Sequence, residues 1–341
     1  MDTIMIGMDI AKSVFHLHGV SPTGEVVIRR KLSRGKVLKY LGAQPRGVVA
    51  MEACGSAHYW AREIMRLGHE VRLVAPRYVK AYVKRGKNDA VDAEAICEAA
   101  SRPSMRFVPV KSAASQAVLV QHRVREMLVR QRTAQINALR GLLSEFGLVA
   151  AKGVEGRAVL ERLVVEADPR IPEPALEALR ELVAAIRAGD ARVRQLERTI
   201  AGAARSNEVA RRLATIPGVG PILASAAAAM VADPAAFRNG RHFAAWTGLT
   251  PRQDSTGGVT RLRRISKMGD RYLRKLLVLG ATSVLRIASR RRTPLERWAD
   301  DLMRHTPSKR RATVAIANKL ARILWAVMAR QQPYQPALAA A

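Results

Sequence analysis

Asp9, Glu52, Asp89 and Asp92 are the residues whose type and placement promise chemistry. The chain holds 58 Lys and Arg against 28 Asp and Glu, so acids set at the ends of strands and the start of a helix call for a cation of their own. Two divalent ions about 4 Å apart, held by carboxylates, neutralise a phosphodiester and stabilise its attacking and leaving oxygens. Mg²⁺ takes oxygen ligands and keeps part of its water, so three or four carboxylates suffice. Mg²⁺ is the ion expected, with Mn²⁺ as the alternative. Asp89 and Asp92 are three residues apart and share one helical face. Each also has a plain structural explanation, Asp89 as a helix N-cap and Asp92 as a first-turn acid favoured by the helix dipole. Glu94 and Glu98 are the nearest substitutes.

A second reactive group lies at residues 248–267. Ser255 precedes Thr256 and the paired Gly257 and Gly258, with Arg252 before it and Arg261, Arg263, Arg264 and Lys267 after it. Guanidinium groups would hold a phosphate there and ease ionisation of a hydroxyl nucleophile. On residues alone the loop contacts phosphate, and a covalent serine is the sharper alternative. Upstream, Ile216-Pro217-Gly218-Val219-Gly220 has the form of a helix-hairpin-helix turn, in which the N–H groups of Gly218 and Gly220 would meet a DNA phosphate. Such turns also join helices with no ligand.

These groups need elements to hold them. Residues 3–10, 14–20 and 25–32 alternate as strands, the last two joined by Ser21-Pro22-Thr23-Gly24. A helix at 36–41, a strand at 47–51 ending at Glu52, a helix at 57–67, a strand at 70–74 and a helix from Asp89 complete a ribonuclease-H order, with the strand bearing Asp9 at the sheet centre. Residues 112–149 turn helical, with Val120, Val124, Met127, Leu128, Leu139, Leu142, Leu143 and Phe146 at helical spacing. Leu176, Leu179, Val183, Ile186, Val193 and Ile200 then form a three-four seam interrupted by Asp190. That pairing predicts a helical hairpin, read as an oligomerising coiled coil rather than a simple linker. The fold class expected is α/β followed by α. Its parts are a nuclease domain at 1–107, a helical coiled-coil region at 108–212, a mostly helical domain at 213–330 and a flexible tail at 331–341.

The formal charge of +30 and pI of about 11.4 predict a polyanionic partner. Residues 213–341 hold 22 basic and 6 acidic residues, so nucleic-acid contact should be densest there. Aromatics are 4% of the chain, which leaves Ala, Leu, Val and Ile to fill the cores. Cys54 and Cys97 lack zinc-ligand spacing and fit a reducing cytoplasm; both, with the histidines including His16 and His18, are read as structural. Asp2 and Asp9 interrupt any signal-peptide run, and the Ala-rich stretch 222–232 is too short to span a membrane. A cytoplasmic, nucleoid-associated protein without a membrane partner is expected.

Taken jointly, Gly7-Met8-Asp9-Ile10-Ala11-Lys12, Met51-Glu52-Ala53-Cys54-Gly55, Lys87-Asn88-Asp89-Ala90-Val91-Asp92-Ala93, Ile216-Pro217-Gly218-Val219-Gly220, Gly248-Leu249-Thr250-Pro251-Arg252 and the run from Ser255-Thr256-Gly257-Gly258 to Ile265-Ser266-Lys267-Met268-Gly269-Asp270 resemble the DEDD-type insertion-sequence transposases, relatives of the Piv DNA invertases. The resemblance runs over nearly the whole chain. It implies a RuvC-like nuclease domain, a coiled coil and a C-terminal transposase domain, assembled as dimers to tetramers. It further implies that Ser255 attacks DNA to form a 5′-phosphoserine link while Asp9, Glu52, Asp89 and Asp92 of a different subunit bind Mg²⁺. Some relatives align their nucleophile with Thr256, which is the alternative to Ser255. A structured noncoding RNA of the element, the bridge RNA, is implied as the guide that pairs with donor and target DNA.

Overall fold

The computed structural model describes residues 4–83, 89–256, 258–290, 292–306 and 308–336. It divides into two compact units at Gln116, in the first turn of a long helix. The helical stretch from Ala117 onward clusters with the C-terminal residues.

The first unit is a mixed α/β fold around one six-stranded sheet. Its elements are β1 (Met5–Ile10), β2 (Val14–Val20), β3 (Val26–Ser33), α1 (Val37–Gly42), β4 (Val48–Glu52), α2 (Ala57–Arg66), β5 (Glu70–Val74), α3 (Pro76–Val79), α4 (Asp89–Ser101) and β6 (Phe107–Val108). The strand order is β3-β2-β1-β4-β5-β6, so β1 is interior as expected. β1 pairs antiparallel with β2 and parallel with β4, and β4 pairs parallel with β5. Alternation sorts the side chains: Ile6, Met8, Phe15, Leu17, Val49, Met51 and Leu73 pack on one face with Trp60 and Ile64 of α2. The other face carries Ala50 and Val74 beneath Ile96, Ala99 and Ala100 of α4. A buried His69 secures the entry to β4, accepting the Gly47 N–H at Nδ1 and facing the Leu41 carbonyl with Nε2.

The second unit contains the remaining elements. α5 (Ala113–Ser144), α6 (Val154–Val165) and α7 (Glu173–Ser206) share a core of Leu139, Leu143, Leu160, Val164, Leu176, Leu179, Val183 and Ile186. The seam assigned to oligomerisation on α7 is therefore covered within the chain. Asp190 interrupts it for a reason: its carboxylate accepts from Arg132 at 2.8 Å and from Arg157 at 2.6 Å. On α5 the pattern splits, with Leu139 and Leu143 buried while Val120, Val124, Met127 and Leu142 stay exposed.

α8 (Glu208–Leu213), α9 (Pro221–Met230), α10 (Gly240–Trp246), a hairpin of β7 (Pro251–Gln253) and β8 (Leu262–Ile265), α11 (Arg271–Ile287), α12 (Pro294–His305) and α13 (Lys309–Arg330) complete the unit. α13 is long and apolar enough to cross a bilayer by length and composition. Its Ile316, Leu320, Leu324 and Val327 are core residues here, packed with Leu273, Leu277 and Phe243.

Candidate active site

The last matched pair of β1 and β4 is Met8 with Met51, and the next residues are Asp9 and Glu52. Two carboxylates thus emerge side by side at the C-terminal ends of adjacent parallel strands, the edge where open α/β sheets bind ligands. Both belong to the face covered by α4, because Gly7 and Ala50, two residues earlier, lie under that helix.

The helix runs against the strands. Cys97 Sγ donates to the Met5 carbonyl at 3.5 Å, and the Ala93 carbonyl lies over Gly7. Four residues of helix advance about 6 Å, as do two residues of strand. One turn before Ala93, residues 89–92 accordingly reach the level of Asp9. Gly7 makes this approach possible: a Cβ there would stand 2.2 Å from the Ala93 carbonyl oxygen and 2.6 Å from the Cys97 nitrogen.

The carboxyl of Glu52 is pushed above the usual range, first by burial and then by the negative charges of Asp9 and Asp92. Asp9 and Asp92 therefore both lie near enough to Glu52 for their charges to act on it. Asp89 opens α4, but its side chain lies outside the described residues. Among the described residues, no three His, Cys, Asp or Glu side chains close into a set that could hold an ion. The donors nonetheless suit a hard dication, being all oxygen, and their mutual repulsion is what a cation relieves. Glu94 and Glu98 follow Asp92 on α4, and Glu98 pairs with Arg102. His16 sits opposite Asp9 in the β1–β2 register, a neighbour that the spacing of the acids did not reveal. Cys97 is buried, its thiol pushed up to about 11 mainly by that burial, whereas Cys54 is exposed.

In the second unit the predicted turn joins α8 to α9, with Ile216 and Val219 in the core. Gly218 has a positive φ of 83°, and a Cβ on it would meet Val284 at 2.6 Å and the Gly280 carbonyl at 2.7 Å. Its small size thus serves close packing on α11, whereas Gly220 is exposed with open space around it.

The β7–β8 hairpin is rooted by buried Leu249, whose carbonyl accepts from Asn318 of α13, and by Ile265 against the core. Beyond that root Arg252, Ser255, Thr256, Arg261, Arg263 and Arg264 are all exposed, and so is Lys267. Leu262, 67% exposed, lies among them. Gln253 pairs in register with Leu262, and its Nε2 donates to Ser255 Oγ at 2.9 Å. Asp254 accepts from Arg263 at 2.7 Å, so that guanidinium is already engaged by a carboxylate. Thr256 forms a backbone bridge with Val259, accepting its N–H at 3.1 Å. Sequence reasoning missed Gln253, whose role becomes visible only through the hairpin register.

Crowded acids at the strand ends of a mixed α/β unit, followed by a strongly basic helical unit, mark a nucleic-acid-processing enzyme. Residues 6–147 match the family described as DEDD_Tnp_IS110 transposase, and residues 210–296 match the Transposase IS116/IS110/IS902 family. The "Probable family 20 transposase" of Pseudomonas aeruginosa is 52% identical, over 98% of this chain and 100% of its own. The transposase for insertion sequence element IS1328 of Yersinia enterocolitica is 40% identical, over 95% of this chain and 96% of its own. That for IS1111A of Coxiella burnetii is 39% identical, over 98% and 92%. The chain belongs to the IS110/IS116/IS902 family of DEDD insertion-sequence transposases, enzymes that cut and rejoin DNA.

Proposed function

We propose that the chain moves its own insertion sequence through a covalent serine–DNA intermediate, under the direction of a structured RNA. The observation that carries the covalent step is Ser255, exposed on an arginine-bearing hairpin with an amide N–H aimed at its oxygen. Ser255 attacks a phosphodiester, and the 3′ oxygen of the cut strand departs. Arg252, Arg261 and Arg264 hold the phosphate, with Arg263 joining them where phosphate displaces Asp254. Gly220 offers a further backbone contact on the α8–α9 turn, and Lys267 adds charge at the root of the hairpin.

Asp9, Glu52 and Asp92, with Asp89, would hold Mg²⁺ or Mn²⁺ in a RuvC-like nuclease unit; the element order and the interior β1 support that fold. A bound divalent ion would neutralise the developing charge on phosphate oxygens. The acids' part is to fix its place and to face the DNA from a different subunit of a dimer or tetramer. Donor and target DNA and a bridge RNA are the partners proposed, in the cytoplasm; the net charge of +30 supports two polyanions at once.

The test is to trap the protein on DNA and map the linked residue by mass spectrometry. An adduct at Ser255, lost in Ser255→Ala, is the expected result; an adduct at Thr256 moves the nucleophile by one residue. The charges of Asp9 and Asp92 acting on Glu52 favour one rival, a junction resolvase that cleaves by metal-activated water, with Ser255 merely structural. Full strand exchange by Ser255→Ala would decide for that rival.

A further inference from the structure

We infer that Gln253 is a positioning residue for Ser255: its side-chain amide selects this hydroxyl in the loop, orients it and stabilises negative charge on its oxygen. The inference rests on the proposed serine chemistry and deepens it.

The geometry sorts the hairpin into two faces. Gln253 and Leu262 are cross-strand partners, so their side chains leave the ribbon on one side. Ser255, two residues beyond Gln253, returns to that side and accepts its Nε2–H at 2.9 Å. Asp254 turns the other way and meets Arg263 at 2.7 Å. The charge of that carboxylate is thereby balanced by a guanidinium. Thr256 is tied instead through its backbone to Val259. Among the described residues, Ser255 is the one of the two adjacent hydroxyls that has a side-chain amide donor.

The chemistry uses that donor in both directions. In cleavage the bond from Oγ to phosphorus forms and the bond from phosphorus to the 3′ oxygen breaks. The serine proton leaves Oγ for solvent, and the departing 3′ oxygen takes up a proton to become a hydroxyl. With one Oγ lone pair occupied by the Gln253 N–H, the hydroxyl hydrogen is directed away from the amide and the other lone pair is available for attack. In rejoining, the 3′ hydroxyl attacks the phosphoserine and Oγ leaves with growing negative charge. A pre-aimed N–H donor stabilises that charge more than it stabilises the resting hydroxyl, which is the condition for acceleration.

Two variants of the full-length protein test the role on a duplex oligonucleotide spanning the element–flank junction. Gln253→Met keeps the length and removes the donor, whereas Gln253→Glu keeps the shape and donates only when protonated. Gln253→Met should slow formation of the Ser255 adduct about tenfold to a hundredfold, with DNA affinity within about twofold of wild type. Gln253→Glu should be slow at pH 8 and recover relative to wild type as the pH falls to about 4.5, where a carboxyl of ordinary pKa is about 40% protonated, while the ratio for Gln253→Met stays flat. The charged groups flanking position 253 on the two strands and their loop are Arg252, Asp254, Arg261, Arg263 and Arg264; dividing by the wild-type rate at each pH removes their common contribution. Adduct formation at the wild-type rate in Gln253→Met, or a flat ratio for Gln253→Glu, overturns the positioning role alone. An adduct at Thr256, or none from the wild type, overturns the serine assignment and Gln253 with it.

Discussion

Glu52 is held where its charge is least comfortable. It is partly buried at the end of β4, with Asp9 beside it and Asp92 facing it from α4, and its carboxyl is raised accordingly. Like charges near one another destabilise the folded state. Replacing Glu52 by Gln should therefore leave the melting temperature unchanged or slightly higher, because repulsion is relieved. If Glu52 holds a metal as proposed, the same change should cut DNA strand cleavage by about a hundredfold or more. Calorimetry and a plasmid-nicking assay measure the two effects separately; a lower melting temperature with normal nicking would return the acids to ordinary capping roles. The acids were legible in the sequence because strand ends and a helix start can be read from alternation and breaker residues. Gln253 and His16 were not, because what matters about each is the residue opposite it, and register across strands is set by packing.

At the scale of elements, the polar joint between α5, α9 and α11 gives a further prediction. His122 of α5 is 1% exposed, with Nδ1 3.1 Å from the Tyr272 hydroxyl of α11 and Nε2 3.1 Å from Ser225 Oγ of α9. A neutral ring satisfies both neighbours, accepting from one hydroxyl and donating to the other. Burial first, and then the charge of Arg125, lowers its pKa from 6.5 to about 4. The folded state thus refuses a proton that the unfolded chain accepts below about pH 6.5. Stability from this site is complete above that pH, declines as the pH falls towards 4, and levels off below it; the total loss is about 3 kcal/mol. Urea unfolding between pH 4.5 and 7 should show a steeper acid decline for the wild type than for His122→Gln. Parallel curves would remove His122 from the account. Other elements show why boundaries were legible to different degrees. β2 and β5 alternate cleanly and were placed at their observed ends. β6 has two residues and exists only by pairing with β5, so its sequence carries no periodic signal. The apolar stripe of α5 reads as one continuous face, yet α6 and α7 cover only its C-terminal part; which part of a stripe finds a partner is decided by the tertiary fold.

For the molecule as a whole, electrostatics distinguishes where DNA is gripped from where it is cut. A chain of net charge +30 draws any polyanion, and its affinity should fall steeply with salt as condensed counterions are displaced. Most of those charges lie outside the hairpin, so removing Arg252, Arg261 and Arg264 together cannot abolish binding if the charge is distributed. What it should do is lower the slope of log affinity against log salt by about three, one for each phosphate no longer neutralised, while slowing strand cleavage far more than the weaker binding explains. The triple Arg→Gln variant, titrated by fluorescence anisotropy at about 50 to 300 mM salt and assayed for cleavage at saturating DNA, separates these effects. Arg263 is left in place because Asp254 depends on it; removing that guanidinium would leave an unbalanced carboxylate next to Gln253 and confound the result. An unchanged salt slope would mean that the hairpin arginines face solvent rather than phosphate, and the DNA-binding surface would then have to be sought among the other cations of the second unit.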